Sequence, residues 1–370
     1  MLTYCFFFAF IYGLYFVLLA EWLFWDEFSV RFNFISVDYL IYRHEVVQNI
    51  WESYPVGWLL TGIGVFSMAT FWGLKSRMSK ILSIKEGFSK RCVIFTGILT
   101  ASFLSYVFVG QSLRDFSSNN FATELASNGP YQFVAAFKNN KLDYESLYRQ
   151  ADDDQLSPVL KKMVGKDPDA GDVYDISREI KSEAEEKRLN VILVSVESLS
   201  AKYLTRFGNK EDITPFMDQW FKQGLLFTNF YATGTRTARG LEAITLSIPP
   251  TPGRSIVKRP DNANYHSLGE VFKDRGYDVA FLYGGIGFFD NMNTFFSGNG
   301  YRIVDQTDFT DDEITFQNAW GVSDEDLYRK TIQQANQSFA DGKPFFFHVM
   351  TTSNHRPYSY PDGKVDIPSG

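Results

Sequence analysis

Two segments carry side chains whose types and spacing suit chemistry on an anionic ester. Glu197 opens Glu197-Ser198-Leu199-Ser200 directly after the apolar run Asn190 to Val196 (NVILVSV). A carboxylate at the carboxyl end of a buried strand is a hard oxygen ligand for a divalent cation. The same residue at a helix N-terminus would simply complement the helix dipole. The second segment, Thr233-Gly234-Thr235-Arg236-Thr237-Ala238-Arg239-Gly240-Leu241-Glu242, follows the run Leu225 to Tyr231 at an expected strand-to-helix turn. Backbone N–H groups at a helix N-terminus favour phosphate, and arginine adds planar two-point recognition of an anion. The alternative is a Thr-capped helix with solvated arginines. The Walker pattern is absent.

Two further segments sit where strands are expected to end. Tyr283-Gly284-Gly285 leads into Gly287-Phe288-Phe289-Asp290-Asn291. Glycines there let backbone approach a ligand, and Asp290 and Asn291 are candidates to bind substrate hydroxyls; packing glycines and a helix cap are the alternative. Thr351-Thr352-Ser353-Asn354-His355-Arg356-Pro357 follows the run Pro344 to Thr351. His355 is a candidate acid, metal ligand or phosphate donor. His348, inside the apolar run itself, reads as a core histidine with its polar needs met.

The elements that must position these residues follow from periodicity. Asn190 to Val196, Leu225 to Tyr231, Tyr277 to Tyr283 and Pro344 to Thr351 are continuous apolar runs of strand length. Helices are expected over Thr214 to Gln223, over Ser267 to Asp274 with Asn264 or His266 as cap, and over Asp324 to Ala340. Apolar strands alternating with helices imply a mostly parallel sheet covered on both faces. Such sheets place ligands at the carboxyl ends of their strands.

The first 110 residues are of another kind. Leu2 to Trp25, Val56 to Leu74 and Cys92 to Gly110 are apolar over the roughly 20 residues a bilayer crossing needs. Trp and Tyr stand near their ends, as at membrane interfaces. Lys75, Arg77, Lys80, Lys85, Lys90 and Arg91, opposed by Glu86, lie between the second and third stretches. The positive-inside rule puts that loop in the cytoplasm and everything after Gly110 outside. The expected division is a transmembrane region over 1–110, a partly helical connector over 111–187 and a catalytic domain over 188–370. The net charge of -7 argues against a nucleic-acid partner. Cys5 and Cys92 fall in or beside the apolar stretches, so the rest of the chain has no disulfide.

Glu197 in VESLS, the Gly-Thr-Arg-Thr-Ala turn, Trp320-Gly321 with Asp324 and Asp326, and TSNHRP occur in one order. In that order the chain resembles the lipoteichoic acid synthase family of the sulfatase and alkaline phosphatase superfamily. It looks most like the Gram-negative type of member, which carries the run TGTRTARGLEAITLSIPPTPG. The resemblance implies an extracytoplasmic α/β domain on the bacterial inner membrane. It also implies a phosphoglycerol or related headgroup transferase, with a membrane phospholipid as donor and a glycan or lipid as acceptor. By the same resemblance Thr237 is the nucleophile, and Glu197 and Thr237 hold one divalent metal, manganese first, magnesium or zinc otherwise. His355 meets the substrate phosphate, with Arg236, Asp290, Asn291 and Tyr283 as the other substrate-binding candidates.

Tyr283, Asp290 and Met292 stand where the family carries a His, a Trp and an Arg on glycerol phosphate. The family's Asp-His metal pair is expected beyond Gly370, and two of its usual five spans are not visible, so the sequence reads as a piece missing both ends. A formylglycine sulfatase is disfavoured, because Thr251 in Ser247-Ile248-Pro249-Pro250-Thr251 stands where Arg is required. A hydrolase using the same threonine, and a non-catalytic lipid-sensing protein on the same fold, are the other readings.

Overall fold

The computed structural model describes residues 2–369 other than 42, 85, 115, 118, 139–150, 182, 250–253 and 366–368. The chain divides into two compact units, residues 1–140 and 141–370. The expected 111–187 connector is thus shared between them.

In the first unit α1 (Leu2–Phe28), α4 (Val56–Ser83) and α5 (Phe88–Phe108) are long and apolar enough to cross a membrane. At ~1.5 Å per residue each equals or exceeds a ~30 Å hydrocarbon core. The first two stretches read from sequence lie within α1 and α4, which run on for several residues, while the third, Cys92 to Gly110, ends two residues beyond α5. α1 and α4 pack together. Ring pairs Tyr4–Phe71 and Tyr15–Phe66, with the Tyr15–Thr70 hydroxyl bond, run in opposite senses along them, so the helices are antiparallel. Between them lie α2 (Phe34–Ile41) and α3 (Arg43–Ser53); after α5 come α6 (Asn120–Ala126) and α7 (Gly129–Lys138). Cys5 and Cys92 are free.

The second unit opens with α8 (Asp153–Met163) and then builds an α/β layer structure. Its elements are β1 (Val191–Ser195), α9 (Pro215–Trp220), α10 (Thr237–Leu246), α11 (Leu268–Lys273), β2 (Asp278–Tyr283), α12 (Met292–Gly298) and β3 (Arg302–Val304). A short antiparallel pair follows, β4 (Gln317–Asn318) and β5 (Gly321–Val322), then α13 (Asp324–Ala340) and β6 (Phe345–Met350). The main sheet has the order β1-β6-β2-β3 with every pairing parallel. β6 is buried along its whole length and β2 nearly so, which is why their sequences are unbroken apolar runs. On one face Phe281, Phe295, Phe296, Phe346 and Leu241 form a core, with Phe281 and Phe296 stacked at 3.6 Å between centroids. On the other Ala280, Leu282, Phe347 and Val349 pack with Leu327 of α13.

Three expectations need correcting. The run Asn190 to Val196 yields the strand Val191–Ser195, which lies at the sheet edge among the described residues and is not buried on both faces, with Ile192 and Val194 exposed. Leu225 to Tyr231 forms no strand; no strand pairs with it among the described residues, and Leu225, Phe227, Phe230 and Tyr231 are exposed. The cap of α11 is Ser267, whose hydroxyl accepts from Glu270 N–H, in place of Asn264 or His266.

Candidate active site

A parallel sheet delivers the carboxyl ends of β1, β2 and β6 to one edge. The residues after those ends are Glu197, the glycine-rich stretch from Gly284, and Thr351 to His355. Glu197 is held there by its own backbone. Its N–H donates to Thr351 Oγ1 at 2.9 Å, and its carbonyl accepts from Asn354 Nδ2 at 2.9 Å. The chain turns directly afterwards through Ser198 at φ 51°, whose hydroxyl donates to Glu197 Oε1 at 2.8 Å.

The other carboxylate oxygen meets α10. Thr237 is the first residue of that helix and Arg236 its N-cap, in extended conformation with no side-chain cap bond. The helix is therefore not Thr-capped. The Thr237 hydroxyl instead donates to Glu197 Oε2 at 2.8 Å. A hydroxyl with its proton on a carboxylate and a ten-residue helix running away behind it has its lone pairs free for an electrophile.

The Thr351–His355 turn is fixed from α13. Asp324 Oδ1 accepts from Thr352 N–H and Ser353 N–H, both at 2.9 Å, while Asp324 N–H donates to Ser353 Oγ. His355 follows, half-buried, with its ring 3.7 Å from that of Trp320. His355 Nδ1 lies 2.8 Å from the Arg356 carbonyl, which only accepts, so Nδ1 carries a proton and Nε2 is the nitrogen left to meet a ligand. Trp320 is braced by an indole N–H bond to the same carbonyl and by edge contact with Phe289.

The remaining sequence candidates are engaged elsewhere. Asp290 is buried and paired with Lys258 Nζ at 2.7 Å, so it is not a free group for substrate hydroxyls. Asn291 donates to the Val257 and Arg259 carbonyls at 3.5 and 3.3 Å. Both adopt left-handed backbone, φ 55° and 60°, which Asp and Asn tolerate best among non-glycine residues. Tyr283 is buried in the core of β2. Thus Glu197 and Thr237 are joined directly, Arg236 precedes Thr237 in sequence, His355 follows Asn354, which holds the Glu197 carbonyl, and Asp290, Asn291 and Tyr283 are engaged by the scaffold.

Sequence reasoning missed Thr351 and Asn354 as holders of Glu197 and Lys258 as the partner of Asp290. Thr351 and Asn354 stood inside a segment already marked by its place after a strand; nothing local marked Lys258. Another buried carboxylate, Glu242, braces α10. It accepts from Arg239 Nη1 at 2.7 Å, Ser255 Oγ at 2.7 Å and Ile256 N–H at 2.6 Å. Ser255 Oγ also reaches the carbonyl of Ala238, next to Thr237.

Glu197 and Thr237 suit a hard divalent cation in kind, since both offer oxygen. They do not suffice in number. Among the described residues no group of three His, Cys, Asp or Glu is placed to hold a metal.

A family model described as Sulfatase matches residues 189–366. The segment spans the sheet, Glu197, Thr237 and the Thr351–His355 turn. Curated relatives of the chain include lipoteichoic acid synthase 2 of Bacillus subtilis (strain 168), 24% identical over 263 residues, 70% of this chain and 38% of that protein. The lipoteichoic acid synthase of Staphylococcus saprophyticus is 22% identical over 298 residues, 77% of this chain and 44% of that protein. The chain spans about two fifths of the length of these relatives. Among solved structures, a protein in the alkaline phosphatase superfamily from Vibrio parahaemolyticus is 35% identical with a TM-score of 0.53, covering 61% of this chain and 55% of that one. The matched segment thus follows three helices long and apolar enough to cross a membrane, and its fold is similar to that of the Vibrio parahaemolyticus protein of the alkaline phosphatase superfamily.

Proposed function

We propose that the chain is a membrane-anchored phosphotransferase that moves a phosphoglycerol or related headgroup from a phospholipid to a cell-envelope glycan or lipid. The observation that carries this reading is the hydrogen bond from Thr237 to Glu197 at the head of α10.

In the proposed reaction Thr237 Oγ attacks the headgroup phosphorus. Its proton passes to Glu197, the phosphorus–oxygen bond to diacylglycerol breaks, and the departing alkoxide takes up a proton from water. Charge on the phosphoryl oxygens is met by the N-terminus of α10, by Arg236 and by His355 through Nε2. An acceptor hydroxyl then displaces Thr237 from phosphorus. A bound divalent ion, manganese in our reading, would take Glu197 and Thr237 as two of its ligands and supply positive charge that acidifies the threonine hydroxyl. The basic residues at the end of α4 and the start of α5 support a cytoplasmic turn there, and so a segment after α5 on the outer side of the inner membrane.

The match to a family described as Sulfatase favours a second reading, in which water is the acceptor and the domain is a hydrolase. One experiment separates them. The chain is reconstituted with phosphatidylglycerol and manganese, and intact mass and peptide mapping are followed with and without a glycan acceptor. A phosphoglycerol adduct on the Thr237 peptide that the acceptor discharges supports transfer. Discharge at the same rate without acceptor supports hydrolysis. No adduct and no headgroup release with any divalent metal would favour a lipid-sensing role.

A further inference from the structure

The helices after the third span show an inverted pattern. α7 buries Gly129, Gln132 and Ala135, small or polar residues three apart, against its own unit. It exposes Tyr131, Val134 at 52% and Phe137 at 64%. On α6, Phe121 and Leu125, one turn apart, are exposed as well. A helix facing water turns its apolar stripe inward. This one turns it outward.

The place of α7 is fixed by the ends of two spans. Tyr131 Oη donates to the Val109 carbonyl at 2.9 Å, and Lys138 Nζ donates to Tyr106 Oη at 3.0 Å, both at the carboxyl end of α5. Gly129 lies over Glu21, near the carboxyl end of α1; a β-carbon there would come within 2.3 Å of Glu21 Oε1. Glu21 is paired with Arg31, whose N–H donates to Glu124 of α6 at 2.8 Å. α1 and α4 are antiparallel, and α5 follows α4 after a short turn, so the ends of α1 and α5 belong to one side of the bilayer. α7 is tied to both.

We propose that α6 and α7 form an amphipathic platform lying in the bilayer interface. Phe121, Leu125, Val134 and Phe137 enter the acyl region, Tyr131 lies at headgroup depth, and Lys138 reaches lipid phosphate. A Tyr and a Lys flanking an apolar stripe suit such a position. The occupant of the exposed face is therefore lipid, because the bonds to Tyr106 and Val109 hold it at the level where a span leaves the membrane.

The unmodified chain, in nanodiscs of phosphatidylethanolamine and phosphatidylglycerol, is irradiated with a phospholipid carrying a diazirine in its acyl tail. Adducts are expected on Val134 or Phe137 and on Phe121 or Leu125, together with the three spans, and none on Gln132. Labelled spans with an unlabelled 120–138 segment would overturn the platform. In a Cys5→Ser, Cys92→Ser background, nitroxide labels at Val134→Cys and Phe137→Cys are expected to meet oxygen more readily than a water-soluble nickel chelate. The reverse order would mean a water-facing helix, and shielding from both would mean a protein cover or a second copy. Either overturns the proposal. If the labelled variants fail to insert, the photolabelling of the unmodified chain decides.

Discussion

Thr237 Oγ1 donates to Glu197 Oε2 at 2.8 Å, joining the first residue of α10 to the residue two beyond β1 across a separation of 40 in sequence. The bond fixes the direction of the hydroxyl proton and gives it an acceptor. Thr237→Ala is expected to abolish the phosphoglycerol adduct and headgroup release. Glu197→Gln keeps a carbonyl acceptor but loses the negative charge, and is expected to lower turnover on the order of 10² to 10⁴-fold. Thr237→Ser is expected to keep partial activity. Headgroup release from vesicles, with the adduct followed by mass, checks all three; an active Thr237→Ala would remove the threonine from the mechanism.

Glu197 is aimed by its backbone, and that aim depends on Thr351, Asn354 and Asp324. Asn354→Ala and Thr351→Val each cut one tether of the Glu197 main chain. Asp324→Asn weakens the pair of N–H bonds that shape the turn carrying both. Displacement of a reacting group by about 1 Å costs up to about 10²-fold in rate. Each variant is expected to lower kcat by roughly 10-fold to 100-fold on that basis, with KM for lipid nearly unchanged. A rise in KM at constant kcat would assign these residues to lipid binding instead.

The two central strands and the three long helices were legible because each is an unbroken apolar run: β2 and β6 are buried almost throughout, and α1, α4 and α5 are long and apolar enough to cross a membrane. Glu197 and Thr237 were legible because each stands just past an apolar run in a short polar motif. The run Leu225 to Tyr231 has the composition of a strand, yet a strand needs a neighbour, and none of the described residues supplies one. Asp290 misled for a related reason. A polar residue after glycines suggests a ligand contact, whereas Lys258, 32 positions earlier, takes its carboxylate. Long-range ion pairs leave no periodic trace. The platform of α6 and α7 was hidden in the same way, since its meaning comes from which face is exposed.

The Lys258–Asp290 pair is the most deeply buried pairing of a lysine with a carboxylate described in this domain, both side chains being 5% exposed. Removing one partner strands the other charge in the core, at a cost of about 3–5 kcal/mol. Lys258→Met is therefore expected to destabilise the domain severely. Lys258→Met with Asp290→Asn removes both charges and keeps a residue that tolerates φ 55° at position 290. The double variant is expected to regain most of the loss, read as denaturation midpoints of the detergent-solubilised chain. If the double variant were as unstable as the single, the pair would be acting through shape and not charge.

His348 sets an acid limit on the fold. Its ring is wholly buried edge-on to the stacked Phe281 and Phe296, with Nε2 2.8 Å from Ser195 Oγ and no partner for Nδ1 among the described residues. Burial pushes its pKa down from 6.5 to about 3. Between these values the unfolded chain binds a proton that the folded chain refuses. Stability is thus present in full above pH 6.5 and falls as pH drops towards 3, by about 1.4 kcal/mol per pH unit. His348→Leu loses the Ser195 bond and is expected to be about 1 kcal/mol less stable at pH 7.5. It also loses the histidine's share of the slope. Its stability curve should therefore cross that of the parent about one pH unit below 6.5 and lie above it in more acid solution. Parallel curves over this range would mean that the ring opens to water and protonates without unfolding the domain.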